Sequence, residues 1–228
     1  VCAPEALAEA LALVRLLEAR TYRHQAKALI AQAVAEVEAA AAALEASRFS
    51  QSARLTFRSR VSGMLRRSAP AMAQLGWYAG GGTGKPPPEI ARTFIDEQQQ
   101  FLSRWFLQIK AAGALVGGAV RARMYAQALE QVYQRAYMAA AGQKVGLPPL
   151  PAYPRDGSTR CKMNCNCYWE GPLKREDENG VYYELYWRLR PGESCEDCIR
   201  RATVQWNPLR IINLNGIWIF AEGGENAV

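Results

Sequence analysis

The chain has 228 residues, half of them hydrophobic, with a formal charge of +7 at neutral pH and a single histidine. Mean hydropathy is -0.20, and Glu5, Glu9, Arg15 and Glu18 break the apolar runs at the front, so neither a transmembrane span nor a signal peptide is expected. The charge is uneven: residues 1–160 carry 20 basic and 11 acidic side chains, net +9, against 8 and 10, net −2, in residues 161–228. Contact with a polyanion is therefore expected in the front segment and disfavoured in the rear one.

Residues 3–47 predict helix. Alanine is dense, no proline follows Pro4, and Leu7, Leu11, Val14 and Leu17, then Ile30, Val34, Val37, Ala41 and Leu44, recur at helical spacing. The length fits one long helix, or two with a kink near residues 20–22. His24 lies among Arg23, Gln25 and Lys27; without a second histidine it is assigned to a solvated face.

Residues 50–75 continue as helix, with Ser50 as the cap. Arg54, Arg58, Arg60, Arg66 and Arg67 interleave with Leu55, Phe57, Val61, Met64 and Leu65. Such a face can neutralise DNA phosphates, or it can be a solvated face paired with the glutamates of the preceding helix. Gly80-Gly-Gly-Thr-Gly-Lys85 is not a phosphate-binding loop: Ala79 stands where the first glycine belongs and Pro86 where Ser or Thr would hold magnesium. A flexible tip followed by a stiff proline spacer is expected at 79–88.

A third helix is predicted over 89–111, dense in Ile90, Phe94, Ile95, Phe101, Leu102, Trp105, Phe106 and Ile109. Gly113, Gly117 and Gly118 interrupt. One further helix is then predicted over about 119–141, carrying Tyr133 and Tyr137 one turn apart as packing residues and ending at Gly142. Residues 146–154 form a proline-rich connector.

Behind it stand five of the six cysteines: Cys161-Lys-Met-Asn-Cys165-Asn-Cys167 and Cys195-Glu-Asp-Cys198. Two tight clusters separated by a strand-rich insert suit a tetrahedral zinc site, because each close pair supplies two thiolates from one turn. Four of the five would bind zinc: Cys195 and Cys198 first, Cys161 and Cys165 next, with Cys167 either the odd thiol or a replacement for one of that second pair. The competing assignment is a disulfide framework, which leaves one thiol over. Residues 167–171 and 181–189 alternate as strands about the turn Asp177-Glu-Asn-Gly180; a short helix follows near 199–205, and residues 206–211 and 216–220 read as extended.

The expected fold is therefore α+β: an all-α body of long helices over 1–141, a proline-rich linker over 142–160, and a cysteine-rich, zinc-stapled β module over 161–228. A core so small needs its metal. No enzyme is expected. The module lacks the histidine of zinc deaminases, and Glu193 and Glu196 are assigned to the surface rather than to a general base.

The rear of the chain also resembles a known family. Leu150-Pro-Ala-Tyr-Pro-Arg-Asp-Gly-Ser-Thr-Arg-Cys161, Asn164-Cys-Asn-Cys167, Tyr186-Trp187, Glu193-Ser-Cys-Glu-Asp-Cys198 and Trp206-Asn-Pro-Leu-Arg210 together are similar to the tail of tailed-bacteriophage minor head proteins, the head-morphogenesis proteins like F of phage Mu. The resemblance covers roughly residues 120–215; the front helices match only in being helical. It implies a low-copy virion protein made in the host cytoplasm, acting near the portal in head assembly through portal and capsid proteins. The alternative expectation is a nucleic-acid-binding protein that uses the basic helix 54–67 beside a structural zinc module.

Overall fold

In the structure, a computed structural model describing residues 4–144, 146–148, 150–153, 159–160, 167–178, 180–189, 194–214 and 217–222, the alanine-rich front forms one unbroken helix, α1 (Pro4–Ala46). No kink interrupts it at residues 20–22. It ends in a tight reversal: Phe49 N–H donates to the Leu44 carbonyl and Arg48 N–H to that of Glu45, with Arg48 and Phe49 both left-handed at φ 50° and 59°. Glycine usually fills such positions, so the reversal is held against the backbone preference of both residues.

Ser50 caps α2 (Gln51–Ala79), its hydroxyl accepting from Ala53 N–H at 3.4 Å. The helix continues through Pro70 and beyond the predicted end at 75. An interior proline removes one helical hydrogen bond, and here the buried side chains Met72, Ala73 and Trp77 carry the helix past it. Ala26, Ala33 and Ala40 recur at seven-residue spacing on the buried side of α1, beside Val37, Ala41 and Leu44. Ion pairs tie α1 to three other helices: Glu36 to Arg67 at 2.6 Å, Glu38 to Arg123 at 2.5 Å and Arg23 to Glu130 at 2.5 Å.

The glycine-rich segment after α2 folds back on it: the Trp77 indole N–H donates to the Thr83 carbonyl and the Gln74 amide to that of Gly84, both at 3.1 Å. α3 (Pro88–Ala112) buries Phe94, Leu102, Trp105 and Ile109 and leaves Phe101 and Leu107 exposed. It closes on Gly113 at φ 61°, whose N–H donates to the Ile109 carbonyl. The single helix predicted over 119–141 is two: α4 (Gly118–Gln127) and α5 (Leu129–Lys144), separated at Ala128. There Gln131 N–H reaches back three residues to the Ala128 carbonyl instead of four, a tightening that no side chain announces. Gly142 does not end α5. The stop is Gly146, at φ 77°, with Gly146 N–H on the Gln143 carbonyl and Leu147 N–H on that of Gly142.

α2 and α5 approach almost backbone to backbone. A methyl on Gly76 would stand 2.1 Å from the Tyr133 carbonyl oxygen, and one on Gly80 2.2 Å from that of Tyr137. The Gly76-x-x-x-Gly80 spacing puts both gaps on one side of α2. Tyr133 and Tyr137 stack at 6.4 Å, and the Arg23 guanidinium lies over the Tyr133 ring at 4.9 Å, so the tyrosine stripe is packing.

The chain divides at Pro149 and Leu150, inside the connector, into two units. The second holds a four-stranded antiparallel meander: β1 (Tyr168–Asp177), β2 (Gly180–Arg188), β3 (Leu209–Leu214) and β4 (Ile217–Glu222), in that order across the sheet. The hairpin falls at Asp177 to Gly180 as the sequence predicts, with a register shift between Glu170 and Leu173. Tyr183, Leu185 and Trp187 of β2 point into a core with Leu209 and Ile211 of β3, while Tyr182, Glu184 and Tyr186 lie on the wetter face. Between β2 and β3, α6 (Glu196–Arg200) passes directly into one π-helical turn, Arg201–Gln205. The fold is thus α+β, a helical body followed by a small antiparallel sheet.

Candidate metal centre

The two cysteine clusters sit at opposite ends of the insert in the sequence. Cys195 precedes α6, and its carbonyl accepts from Ile199 N–H at 3.0 Å, so Cys195-Glu-Asp-Cys198 is one helical turn. Cys198 is fully buried and Cys195 half-buried. Cys167, the residue before β1, is also buried. Cys161 and Cys165 lie outside the described residues.

A polar latch joins the approach to the first cluster with the second. The backbone N–H of Arg160, the residue that precedes Cys161 in the sequence, donates to Asp197 Oδ2 at 2.8 Å. The Arg160 guanidinium donates to Glu196 Oε2 at 2.6 Å. The guanidinium pair is well exposed and contributes little; the backbone bond to a carboxylate is the stronger positional tie. Glu196, read from the sequence as a surface charge, and Asp197 are therefore the two anchors for the segment leading into Cys161. Thr159 beside it is buried.

Beneath the turn lies a tryptophan cluster. Trp169 meets Trp187 edge-on at 5.1 Å and Trp206 at 5.2 Å, and Trp187 meets Trp206 at 5.5 Å. Arg201 is buried among them, its guanidinium 4.5 Å from the Trp206 ring and 5.1 Å from Trp187. Stacked this way, a guanidinium offsets part of its desolvation through the ring quadrupoles. The Trp169 indole N–H donates to the Ala152 carbonyl at 3.1 Å, fastening the end of the connector to β1. Sequence spacing singles out neither Arg201 nor the latch: the first depends on Trp187 of β2 and Trp206 closing on Arg201 in space, the second on residues 37 positions apart.

Among the described residues, no three cysteine, histidine or carboxylate side chains converge into a metal-holding group. The two thiols of the Cys195–Cys198 turn have the chemistry zinc takes from such a pair; completing four ligands calls on the first cluster.

Two of the five arginines of the basic helix are engaged by neighbouring helices. Arg67 is paired with Glu36, and Arg58 donates to Ser103 Oγ at 3.2 Å with its guanidinium 5.2 Å from the Phe106 ring. Arg60 and Arg66 are exposed and have no ion pair among the described residues. Arg60 lines a shallow cavity of about 290 Å³ at the α1–α2 reversal, with Ser47, Ser50, Ser52 and Thr56. His24 is exposed.

Burial rather than charge perturbs the tyrosines of the helical unit. Tyr125, stacked on Trp105 at 5.4 Å, is pushed up to about 12 by burial, against the opposing pull of the Arg121 guanidinium. Tyr133 is raised for the same reason, with Arg23 opposing and Glu130 assisting.

No helix among the described residues is long and apolar enough to cross a membrane. No protein family, no curated protein and no solved structure matches the chain.

Proposed function

We propose that this chain is a structural assembly protein whose rear unit is stapled by one zinc ion and used for docking, in the manner of the phage minor head proteins its rear sequence resembles. The observation that carries the metal reading is the Arg160–Asp197 hydrogen bond at 2.8 Å, which brings the residue before Cys161 against the Cys195–Cys198 turn. Cys195 and Cys198 would supply one pair of thiolates, and two of Cys161, Cys165 and Cys167 the other. Zinc there crosslinks the unit and contributes no reaction. The thin tryptophan core gives the unit reason to need that crosslink.

Metal content and thiol titration of the purified chain under non-reducing conditions test this. About one zinc per chain, and loss of β structure on chelation, are the expected results. Two disulfides and no metal would overturn the stapled module. The assembly reading is separate: the chain must co-sediment with assembled heads alongside portal or capsid proteins, and its absence from them sinks the virion assignment.

Exposed Arg60 and Arg66 favour a second reading, DNA contact through α2. With Arg58 and Arg67 already engaged, few phosphates remain within reach of this helix, so the expected salt slope is shallow, roughly −0.9 per phosphate neutralised. Binding that does not respond to salt would remove it.

A further inference from the structure

Thr159 and Arg160 lead into the first cysteine cluster, and Arg160 meets Asp197 across 37 positions of chain. Closing a loop of that length costs chain entropy. A metal whose ligands the chain itself draws together binds more tightly than one that must close the loop alone. The Cys195–Cys198 turn is fixed on the sheet from its far side. Trp187 N–H donates to the Trp206 carbonyl at 3.2 Å and Trp206 N–H to that of Arg201 at 2.8 Å. Arg201, one helical turn beyond the fully buried Cys198, is itself buried against the Trp187 ring. What remains is to hold the approach to Cys161 against that turn.

Two carboxylates reach Arg160, and they are not equivalent. Glu196 meets the guanidinium at 2.6 Å, but the two side chains are 76% and 69% exposed, so solvent screens the pair and neither end fixes the other. Asp197 is half-buried, and its Oδ2 accepts from the backbone N–H at 2.8 Å. A short carboxylate bonded to a backbone amide fixes the path of the chain rather than the tip of a side chain. We propose that Asp197 is the positioning residue of the metal centre, holding the approach to Cys161 where both cysteine clusters can serve one ion. The inference rests on the proposed zinc staple and deepens it, since it names the carboxylate on which zinc affinity depends.

Competition for zinc between the reduced full chain and a chelator of known affinity tests it, with circular dichroism of each zinc-loaded variant recorded alongside. Asp197→Ala should weaken zinc binding at least about tenfold. Asp197→Asn keeps an oxygen that can accept from Arg160 N–H, so it should recover most of that loss. Glu196→Ala removes the same charge one residue away and should stay within about twofold of the parent. Arg160→Pro removes the N–H from the other side and should match Asp197→Ala, which keeps the test open if Asp197→Ala does not fold. Cobalt(II) in place of zinc adds a readout that stability alone does not move, because its visible bands report the ligand tetrahedron. Those bands should change in Asp197→Ala and stay as in the parent in Ile211→Ala, which thins the sheet core on β3. A parent chain with no affinity for zinc removes the staple and this inference with it. Zinc held as tightly by Asp197→Ala and Arg160→Pro as by the parent overturns the inference alone and leaves the staple standing. Equal losses in Asp197→Ala and Glu196→Ala, or cobalt bands unmoved in Asp197→Ala, overturn it as well, by assigning the effect to charge or to stability.

Discussion

The two units reach stability by opposite means. In the helical unit the residues at the closest helix contacts are small: Gly76 and Gly80 let α2 and α5 approach until backbone meets backbone, and Ala26, Ala33 and Ala40 line the buried side of α1, while Phe57, Phe94 and Trp105 fill the core. In the sheet unit they are large: Trp169, Trp187 and Trp206 close around one buried arginine. Long helices offer many shallow contacts that add up, so each needs only to avoid a clash. A four-stranded sheet with one short helix has few positions to bury, so each must carry much area. Substitutions should therefore fail differently in the two units, by cavity in one and by overpacking in the other.

Trp187→Ala tests the sheet unit at its centre. Trp187 is fully buried between Trp169, Trp206 and Arg201, and its removal should cost about 3–5 kcal/mol and leave the guanidinium without one of its rings. Chemical denaturation read through the remaining indoles should show this unit melting early while the helical signal persists. Equal loss in both transitions would mean that the units do not unfold separately.

Gly76→Ala tests the opposite failure. Its methyl would meet the Tyr133 carbonyl, a backbone atom that cannot turn aside, so α2 and α5 must separate at a cost of about 1–3 kcal/mol or more. Gly142→Ala sharpens the contrast from the same helix pair. A methyl there meets only the Leu147 Cβ at 3.8 Å, so alanine should stabilise α5 by about 0.5–1 kcal/mol. Thermal melts of the two variants should move in opposite directions, although both replace a glycine inside a helix.

The last effect appears only as the pH is raised into the alkaline range. Tyr125 has its pKa raised to about 12 from 10.0 by burial, so the folded state holds its proton more tightly than the unfolded chain does. The stability this confers is complete below pH 10 and is lost as pH rises through 12. Tyr125→Phe should flatten that alkaline decline in a pH series of melts. An unchanged decline would assign it to other groups.

Much of the fold was legible because it is local. Alanine density and the absence of interior breakers specify α1; Ser50 specifies where α2 begins; Asp177 to Gly180 specifies the hairpin. Where reading failed, breakers misled. Gly142 lies inside α5, and the actual stop, Gly146, was visible four residues on, whereas Pro70 lies inside α2 as the predicted span 50–75 already had it. The break at Ala128 has no breaker at all. For the candidate site, the sequence identified the cysteine pair and its spacing and placed Glu196 at the surface, where it lies, but did not show the tie of Asp197 to Arg160, a hydrogen bond that spans 37 residues.

The sequence alone determined the α+β order of elements, the tight spacing of Cys195 and Cys198, and the uneven charge between front and rear, because each follows from composition or from residues within a turn of one another; the helix predicted near 199–205 begins earlier, at Glu196, and takes in Cys198. Only the tertiary structure decided that two of the five arginines of α2, Arg58 and Arg67, are engaged by neighbouring helices, that Gly76 and Gly80 admit α5, and that Arg201 lies buried among tryptophans. Those outcomes depend on which surfaces meet, and a side chain's role changes with what stands opposite it.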